Sequence, residues 1–332
     1  MKLQILIPHY RETAAEVRPL LDSIALQQCI DFREVGVIIV HDGPDAAPLD
    51  DLPGGYPFAV EQFSAPKGGV SAARNAALDR ATADYVMFCD ADDMFFNACG
   101  LYIVFREIAG GGFDYLVSSF VEESRDPKHK ADPVFVTHDM DFTFVHGKVI
   151  NRRFLIDNSI RWNDALTIHE DSYFNCLCAR LAVNARHCQT AFYLWKWRDA
   201  SVCRHDPKYM LKTYRNMLES STALVRELVR RGKTDAAAEV VVQLTYDTYF
   251  TFNKREWLDQ ENREYRDATE RRFAAYHREF DALYKSAPEE KRAQILVGVR
   301  NRMFGEGVMF EQITFSDWMR KVEAIDAEPK TV

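Results

Sequence analysis

The sequence predicts an α/β protein: a mainly parallel sheet flanked by helices over residues 1–205, followed by an α-helical extension over residues 206–332. Three observations predict it. Apolar, β-branched runs alternate with helical stretches through the first third of the chain. Polar clusters stop those runs. From about residue 206 the dominant spacing is helical.

The elements follow in order. Leu3 to Ile7 is an apolar run stopped by Pro8, and reads as a buried strand. Thr13 to Gln28 carries Val17, Leu20, Leu21, Ile24 and Ala25 at helical spacing. Val35 to Val40 is a second strand, ended by Asp42-Gly43-Pro44, and Phe58 to Phe63 a third. Gly69 to Thr82 is Ala-rich and helical; Tyr85 to Cys89 is a fourth strand. Alternation of this kind makes a parallel sheet with helices on its faces. Asp206-Pro207 is a good helix start, with Asp as cap and Pro in the first turn. Met210, Tyr214, Met217, Ser221, Leu224 and Leu228 then repeat at helical spacing, and Arg230, Arg231 and Gly232 close that helix. Phe273, Tyr276, Phe280 and Leu283 form another stripe, and Pro288 opens a helix to about Met303.

Composition narrows the function. The chain has 332 residues, nearly half of them hydrophobic, enough for a sizeable core. A net charge of −8 disfavours a general nucleic-acid binder. Seven scattered cysteines match no common zinc spacing and read as reduced thiols of a cytoplasmic protein. No run approaches the roughly 18 apolar residues of a spanning helix, so a soluble protein, at most peripheral to a membrane, is expected.

In parallel sheets, ligands bind beyond the carboxyl ends of the strands. Pro8-His9-Tyr10-Arg11, His41-Asp42-Gly43 and Asp90-Ala91-Asp92-Asp93 should therefore converge on one edge. Three carboxylates as close as Asp90, Asp92 and Asp93 repel one another. A hard divalent cation resolves that conflict, and a metal there can bridge a diphosphate. The bland alternative is an acidic turn capping a helix near Met94. Pro66-Lys67-Gly68-Gly69 leads into a helix whose first N–H groups, with Lys67 and Arg74, suit a phosphate-bearing ligand. A merely well-capped helix is the alternative.

Taken together, Ile5-Leu6-Ile7-Pro8-His9-Tyr10, Ile38-Ile39-Val40-His41-Asp42-Gly43, the Lys67-to-Ala77 segment and Asp84-Tyr85-Val86-Met87-Phe88-Cys89-Asp90-Ala91-Asp92-Asp93 resemble glycosyltransferase family two. That is the large inverting family with the GT-A, Rossmann-like fold, and the likeness covers roughly residues 3 to 205. The resemblance implies a nucleotide-sugar donor, usually a UDP-sugar, and Mn²⁺ or Mg²⁺. It puts Pro8 and Tyr10 against the nucleobase and Asp42 where a carboxylate bonds uracil. Arg74 falls near the base, ribose or phosphates, and Asp90 near the ribose and metal. Arg11, Lys67, Gly68 and Ala91 fall in the same donor site. Asp92 matches the metal-binding carboxylate of the DxD motif; Asp93 either helps or caps the next helix. Two positions depart from the pattern. The first strand commonly ends in Pro-Thr-Tyr-Asn, and His9 and Arg11 stand here for Thr and Asn. The second commonly ends in Asp-Asp-Gly-Ser, and His41 and Pro44 stand for Asp and Ser.

The stretch from His146-Gly147-Lys148 to Ile168-His169-Glu170-Asp171-Ser172-Tyr173-Phe174 is similar to the family segment that ends in Glu-Asp before an aromatic helix. The resemblance makes Asp171 the general base, which a weakly nucleophilic sugar hydroxyl needs. Glu170 either orients the acceptor or complements the helix dipole. Trp195 and Trp197 form a sugar platform or ordinary strand core. Arg198 and Arg204 close over the diphosphate, and His205 completes the metal shell, if this part follows the family too.

The expected activity is inverting transfer of a sugar to an acceptor hydroxyl, of a glycan or surface polysaccharide. Modified DNA or protein as acceptor, or a non-catalytic nucleotide-sugar-binding protein, are the other readings; the acidic balance disfavours DNA. A basic face with Arg226, Arg230, Arg231, Arg271 and Arg272 reads best as a solvated helix surface. The helical region is expected to bind acceptor, mediate oligomers or stabilise the catalytic part. A nucleotidyltransferase or a nicotinamide dehydrogenase would want a Gly-rich loop after the first strand, where Pro8-His9-Tyr10-Arg11 stands.

Overall fold

The computed structural model describes residues 1–52, 54–125, 132–198, 208–305 and 313–325. The chain divides into two compact units, Met1–Ser201 and Val202–Val332.

The first unit is built on one sheet. Its strands are β1 (Leu3–His9), β2 (Val35–Asp42), β3 (Ala59–Ala65), β4 (Tyr85–Phe88), β5 (Met94–Phe95), β6 (Tyr115–Arg125), β7 (Pro133–His138), β8 (Lys148–Asn151) and β9 (Ala185–Trp195). Its helices are α1 (Ala14–Ala25), α2 (Gly69–Arg80), α3 (Gly100–Ala109), α4 (Arg152–Asp157) and α5 (Glu170–Leu181). The strand order is β3-β2-β1-β4-β8-β6-β9-β5, with β7 on β6. From β3 to β4 all pairs are parallel. Beyond β4 the sheet is mixed: β8 runs antiparallel to β4 and β6, while β6 and β9 are parallel.

The continuous apolar runs of β1, β2 and β4 are buried along most of their length, as parallel strands covered on both faces require. Leu3, Ile5 and Ile7 pack with Val17, Leu20, Leu21 and Ile24 of α1 and Val35, Val37 and Ile39 of β2 in one core. Each such side chain contributes roughly 1.5–3 kcal/mol by leaving water. β3 is an edge strand without a fully buried residue, so its apolar signal is weak, and it starts at Ala59, one residue after the expected Phe58. The helix near Met94 that the acidic-cap alternative requires is a strand instead. β5 pairs Met94 with Leu194 and Phe95 with Tyr193, and this pairing brings Asp93 beside the end of β9.

The second unit is helical: α6 (Tyr209–Arg230), α7 (Thr234–Thr251), α8 (Arg255–Leu258), α9 (Arg263–Ser286), α10 (Glu289–Gly305) and α11 (Phe315–Glu323). The expected start at Asp206-Pro207 lies outside the described residues. Tyr214, Leu224 and Leu228 of the expected α6 stripe are buried, but the buried face extends to one side of it. Met210 is half exposed, and Leu211, Leu218 and Val225 are buried, because the seven-residue row from Leu211 competes with the row from Met210. Phe273, Tyr276 and Phe280 of α9 are buried as expected, and the Phe273 ring stacks on Trp318 of α11. The basic face is paired: Arg226 meets Glu279, Arg230 and Arg231 share Glu227, and Arg272 meets Glu219. Among the described residues, no helix is long and apolar enough to cross a membrane.

Candidate active site

Pro8 shapes the opening of the site. Even-numbered residues of β1 face β4: the Tyr85 N–H donates to Lys2 O at 2.9 Å, and the Cys89 N–H to Leu6 O at 3.1 Å. Pro8 is next in that row and has no N–H to give. The β1–β4 ladder stops at Leu6 and Phe88, while β1 stays paired to β2 as far as His9 and His41. The strand ends are thus free to part where the polar residues begin.

Tyr10 and Arg11 form the turn after β1. The Arg11 guanidinium lies 5.2 Å and the Lys67 Nζ 2.7 Å from the Tyr10 ring centre. Glu12 holds the turn: its carboxylate accepts from the Tyr10 and Arg11 N–H groups at 3.1 and 3.2 Å. Asp42, almost fully buried, accepts the Gly68 N–H at 2.8 Å and the Gly69 N–H at 3.1 Å, with Lys67 Nζ 3.4 Å away. This corrects one expectation. Those amides are not open to a phosphate; Asp42 takes them, and the Asp42 carboxylate assigned by resemblance to a nucleobase supports the Lys-Gly-Gly turn. The turn needs its glycines. Gly69 has φ +84°, and a Cβ on Gly68 would lie 2.6 Å from Ala72 Cβ.

The acidic turn after β4 splits into three roles. Ala91 is buried and points away from solvent. Asp90 meets Arg74 Nη2 at 2.9 Å through Oδ1. Asp92 meets Arg198 Nη1 at 2.8 Å through Oδ2. Arg198, expected over a diphosphate, also reaches Glu12 at 3.2 Å and Glu16 at 3.2 Å. Asp93 does not cap a helix. It is 1% exposed and accepts from the Tyr193 hydroxyl at 2.6 Å and the Lys196 N–H at 3.0 Å. Burial first, and then the charges of Asp90 and Asp92, push its carboxyl well above the usual range. The Tyr193 hydroxyl also accepts the Asp90 N–H at 3.1 Å, so one phenol clamps both ends of the turn. A carboxylate oxygen of Asp90, one of Asp93 and a ring nitrogen of His146 lie within 4.8 Å of one another. His205 and Arg204 lie outside the described residues.

Arg74 joins this turn to the start of α5. Its guanidinium is 3% exposed and binds three carboxylates: Asp90 at 2.9 Å, Glu170 at 3.2 Å and Asp171 at 2.6 Å. The Trp162 ring lies 4.4 Å from it. Asp171 also accepts the Val145 N–H at 3.1 Å. One guanidinium cannot offset three carboxylates. Burial, and then the neighbouring Asp171, push Glu170 up to about 7. Burial also raises Asp171, against the pull of Arg74. His169, directly before the pair, sits in the left-handed region at φ 62° and ψ 20°. That conformation costs a non-glycine residue about 1–3 kcal/mol, and it aims the first turn of α5 at Arg74.

The model of the family described as glycosyl transferase family 2 matches residues 4–170. The chain belongs to glycosyl transferase family 2. It is 32% identical over 168 residues to the uncharacterized glycosyltransferase YwdF of Bacillus subtilis (strain 168), covering 47% of this chain and 60% of YwdF. It is 33% identical over 98 residues to the succinoglycan biosynthesis protein ExoW of Rhizobium meliloti (strain 1021), covering 28% of this chain and 30% of ExoW. The chain thus spans less than two thirds of the length of either relative. Among solved structures, S. aureus TarS 1–349 superposes with a TM-score of 0.60 at 18% identity, over 97% of this chain and 90% of that one. The same fragment in complex with UDP-GlcNAc gives 0.60 at 18%, with the same coverage. At such identity the likeness is one of fold, and the fold is GT-A-like.

Family 2 membership makes four unforeseen residues of interest. Glu12 links the Tyr10 turn to Arg198. Tyr193 clamps the acidic turn. Trp162 lies against Arg74. Lys148 is buried, 3.9 Å from Asp141, and burial lowers its amine to about 8. Only Lys148 leaves a signal in the sequence: a lysine at the head of a strand-like Val-Ile run is a charge that must be explained. The others depend on pairings between segments about 90 to 190 positions apart.

Proposed function

We propose that this chain is a metal-dependent, inverting glycosyltransferase that moves a sugar from a UDP-sugar to a hydroxyl of a glycan or surface polysaccharide. The observation that carries the reading is the buried Arg74 guanidinium, which ties Asp90 on the donor side to Glu170 and Asp171 at the head of α5. Family membership supports sugar transfer. The UDP and UDP-GlcNAc complexes of TarS support a uridine donor, and the description of ExoW supports a polysaccharide acceptor.

The donor set fits a hard divalent cation. Asp90 Oδ2 and Asp92 Oδ1 accept no hydrogen bond among the described residues, while each sister oxygen is held by an arginine. Asp90 and Asp92 would hold Mn²⁺ or Mg²⁺, which when bound offsets negative charge on a departing diphosphate. Asp171 is the base. Each of its oxygens keeps a lone pair beyond its bond to Arg74 or Val145. Burial strengthens it as a base, and Arg74 keeps its charged form accessible. It takes the acceptor proton as the hydroxyl oxygen bonds to the anomeric carbon. The bond from that carbon to the diphosphate breaks on the opposite face, its electron pair leaves with the diphosphate, and the configuration inverts. Glu170 orients the acceptor.

The test is a panel of UDP-sugars with Mn²⁺ and glycan acceptors, with the product anomer read by NMR. Asp171→Asn should lower transfer by about 10²–10⁴-fold while leaving UDP binding unchanged. Wild-type turnover in that variant overturns the base assignment, and a retained anomer overturns inversion.

A further inference from the structure

Both departures from the family pattern at the strand ends that flank Tyr10 include histidines, and the two meet. His9 ends β1 and His41 lies one residue before the end of β2; they are register partners in parallel strands, so their side chains share a face. The rings stand edge to face with centres 5.0 Å apart, and the two Nδ1 atoms are 3.0 Å apart. Only one proton fits between them.

The other ring nitrogen of His9 decides which histidine carries it. His9 Nε2 lies 2.7 Å from Glu12 O. A carbonyl oxygen only accepts, so Nε2 bears hydrogen, and the neutral ring has a bare Nδ1. The His41 Nδ1 must then be the donor. The pair thus has one consistent neutral arrangement: His9 protonated at Nε2, His41 at Nδ1. A proton added at His41 Nε2 would leave the shared bond in place. The same added proton can rest on His9 Nδ1, because neutral His41 can then hold its hydrogen at Nε2 and accept through Nδ1; only a second proton puts hydrogen on both Nδ1 atoms, which then face each other. His9 is 2% exposed, so water does not replace the lost partner.

What the pair holds is the turn. His9 fixes the Glu12 carbonyl, the Glu12 carboxylate fixes the Tyr10 and Arg11 amides, and the same carboxylate meets Arg198, which meets Asp92. A run of polar contacts thus leads from the end of β2 to the acidic corner. The groups facing the pair are few. Gln62 of β3 bonds to His41, and Asp50 attracts it. Glu12 lies beyond His9. Next to His41 on its own strand, Asp42 is occupied by Gly68, Gly69 and Lys67. Arg11 and Lys67 lie on Tyr10. Burial, and then His9, hold His41 below the usual histidine range.

We propose that His9 and His41 are positioning residues that share one proton, lock the Tyr10–Glu12 turn for the nucleobase of the donor, and release it when both rings are protonated and their Nδ1 hydrogens face each other. The proposal rests on the donor-site reading above and adds a proton-dependent lock to it, at positions where the family commonly carries Thr and Asp.

Two measurements on the full chain test it. In ¹⁵N-histidine spectra near neutral pH, His9 should show the Nε2–H form and His41 the Nδ1–H form; each signal is assigned by loss in His9→Thr or His41→Gln. Any other tautomer pair overturns the proposal without reference to a ligand. Calorimetric titration with UDP and MnCl₂ is then run from about pH 8 down to pH 5.5 on wild type and His9→Thr. Taking the ratio of the two dissociation constants cancels the titration of the nucleotide. That ratio should change by about tenfold in favour of the variant as pH falls. A ratio that stays flat overturns the proposal alone. A wild type that binds no UDP at any pH overturns the donor reading, and the proposal with it.

Discussion

The Asp90–Asp93 turn joins a partly buried cluster of carboxylates and one fully buried carboxylate, and they are held by opposite means. Asp90, Glu170 and Asp171 surround one buried guanidinium, that of Arg74. Asp93 is held by a phenol and a backbone amide, with His146 Nδ1 3.7 Å away. The first cluster has more negative charge than its one cation can offset. The second has a single carboxylate with a neutral donor on each oxygen. A site built only for stability has no reason to carry the first imbalance, because buried charge without a partner costs several kcal/mol. Excess carboxylate at the edge of a sheet is the condition for taking up a proton or a cation. This imbalance supports the proposed placing of the chemistry at the Arg74 cluster, and Asp93 with Tyr193 is a staple that braces the turn on which Asp90 and Asp92 stand.

The sharpest way to break that comparison is to remove the one cation. Arg74→Gln leaves Asp90, Glu170 and Asp171 facing one another without it. Loss of about 3–5 kcal/mol of stability is expected near pH 8. The loss should shrink toward pH 5. Without Arg74 the three carboxyls bind protons more tightly in the folded state, so acid neutralises the repulsion. Urea unfolding at the two pH values measures it. A loss that is equal at both would mean that Arg74 acts through packing on Trp162 rather than through charge.

The staple should respond differently. Tyr193→Phe removes the donor to Asp93 Oδ2 and the acceptor of the Asp90 N–H. It should cost about 1–3 kcal/mol, as expected for buried groups left without partners. UDP binding should weaken little. A larger effect on binding than on stability would move Tyr193 and Asp93 into the working site.

The division between the clusters was only partly legible in the sequence. β1, β2 and β4 announced themselves because a strand buried on both faces must be apolar throughout. The gathering of Pro8, Tyr10, Asp42 and Asp90 at one edge followed from parallel pairing alone. Of the two readings of Asp93, the helix cap falls, and the sequence does not show it because Met94 and Phe95 are too short a run to declare a strand. Only the distant β9, at Tyr193 and Leu194, makes them one. Arg74 was read as a donor ligand. Its partners lie 16, 96 and 97 positions away, and no local spacing encodes a contact with α5. The same holds for Arg198 on Asp92. Sequence patterns report which groups reach the edge of the sheet, and tertiary pairing decides which of them are already occupied.

The smallest expected effect tests the excess of charge most directly. Glu170 is pushed from the ordinary 4.5 up to about 7. A carboxyl whose folded value is raised binds protons more tightly when folded. Between about pH 4.5 and pH 7, stability from this group therefore falls as pH rises, and above that window the full cost is present. Glu170→Gln keeps the shape and an oxygen that can still accept from Arg74, and it removes the charge. The variant should be more stable than wild type near pH 8, by on the order of 1 kcal/mol, and the gain should vanish near pH 4.5 or below. Transfer should fall as well if Glu170 has its proposed role of orienting the acceptor. A variant that is more stable and less active would show that the protein tolerates an unfavourable carboxylate at the head of α5 for the sake of the reaction. A variant that loses stability near pH 8 would show instead that Arg74 does balance its three partners, and the contrast with the Asp93 staple would disappear.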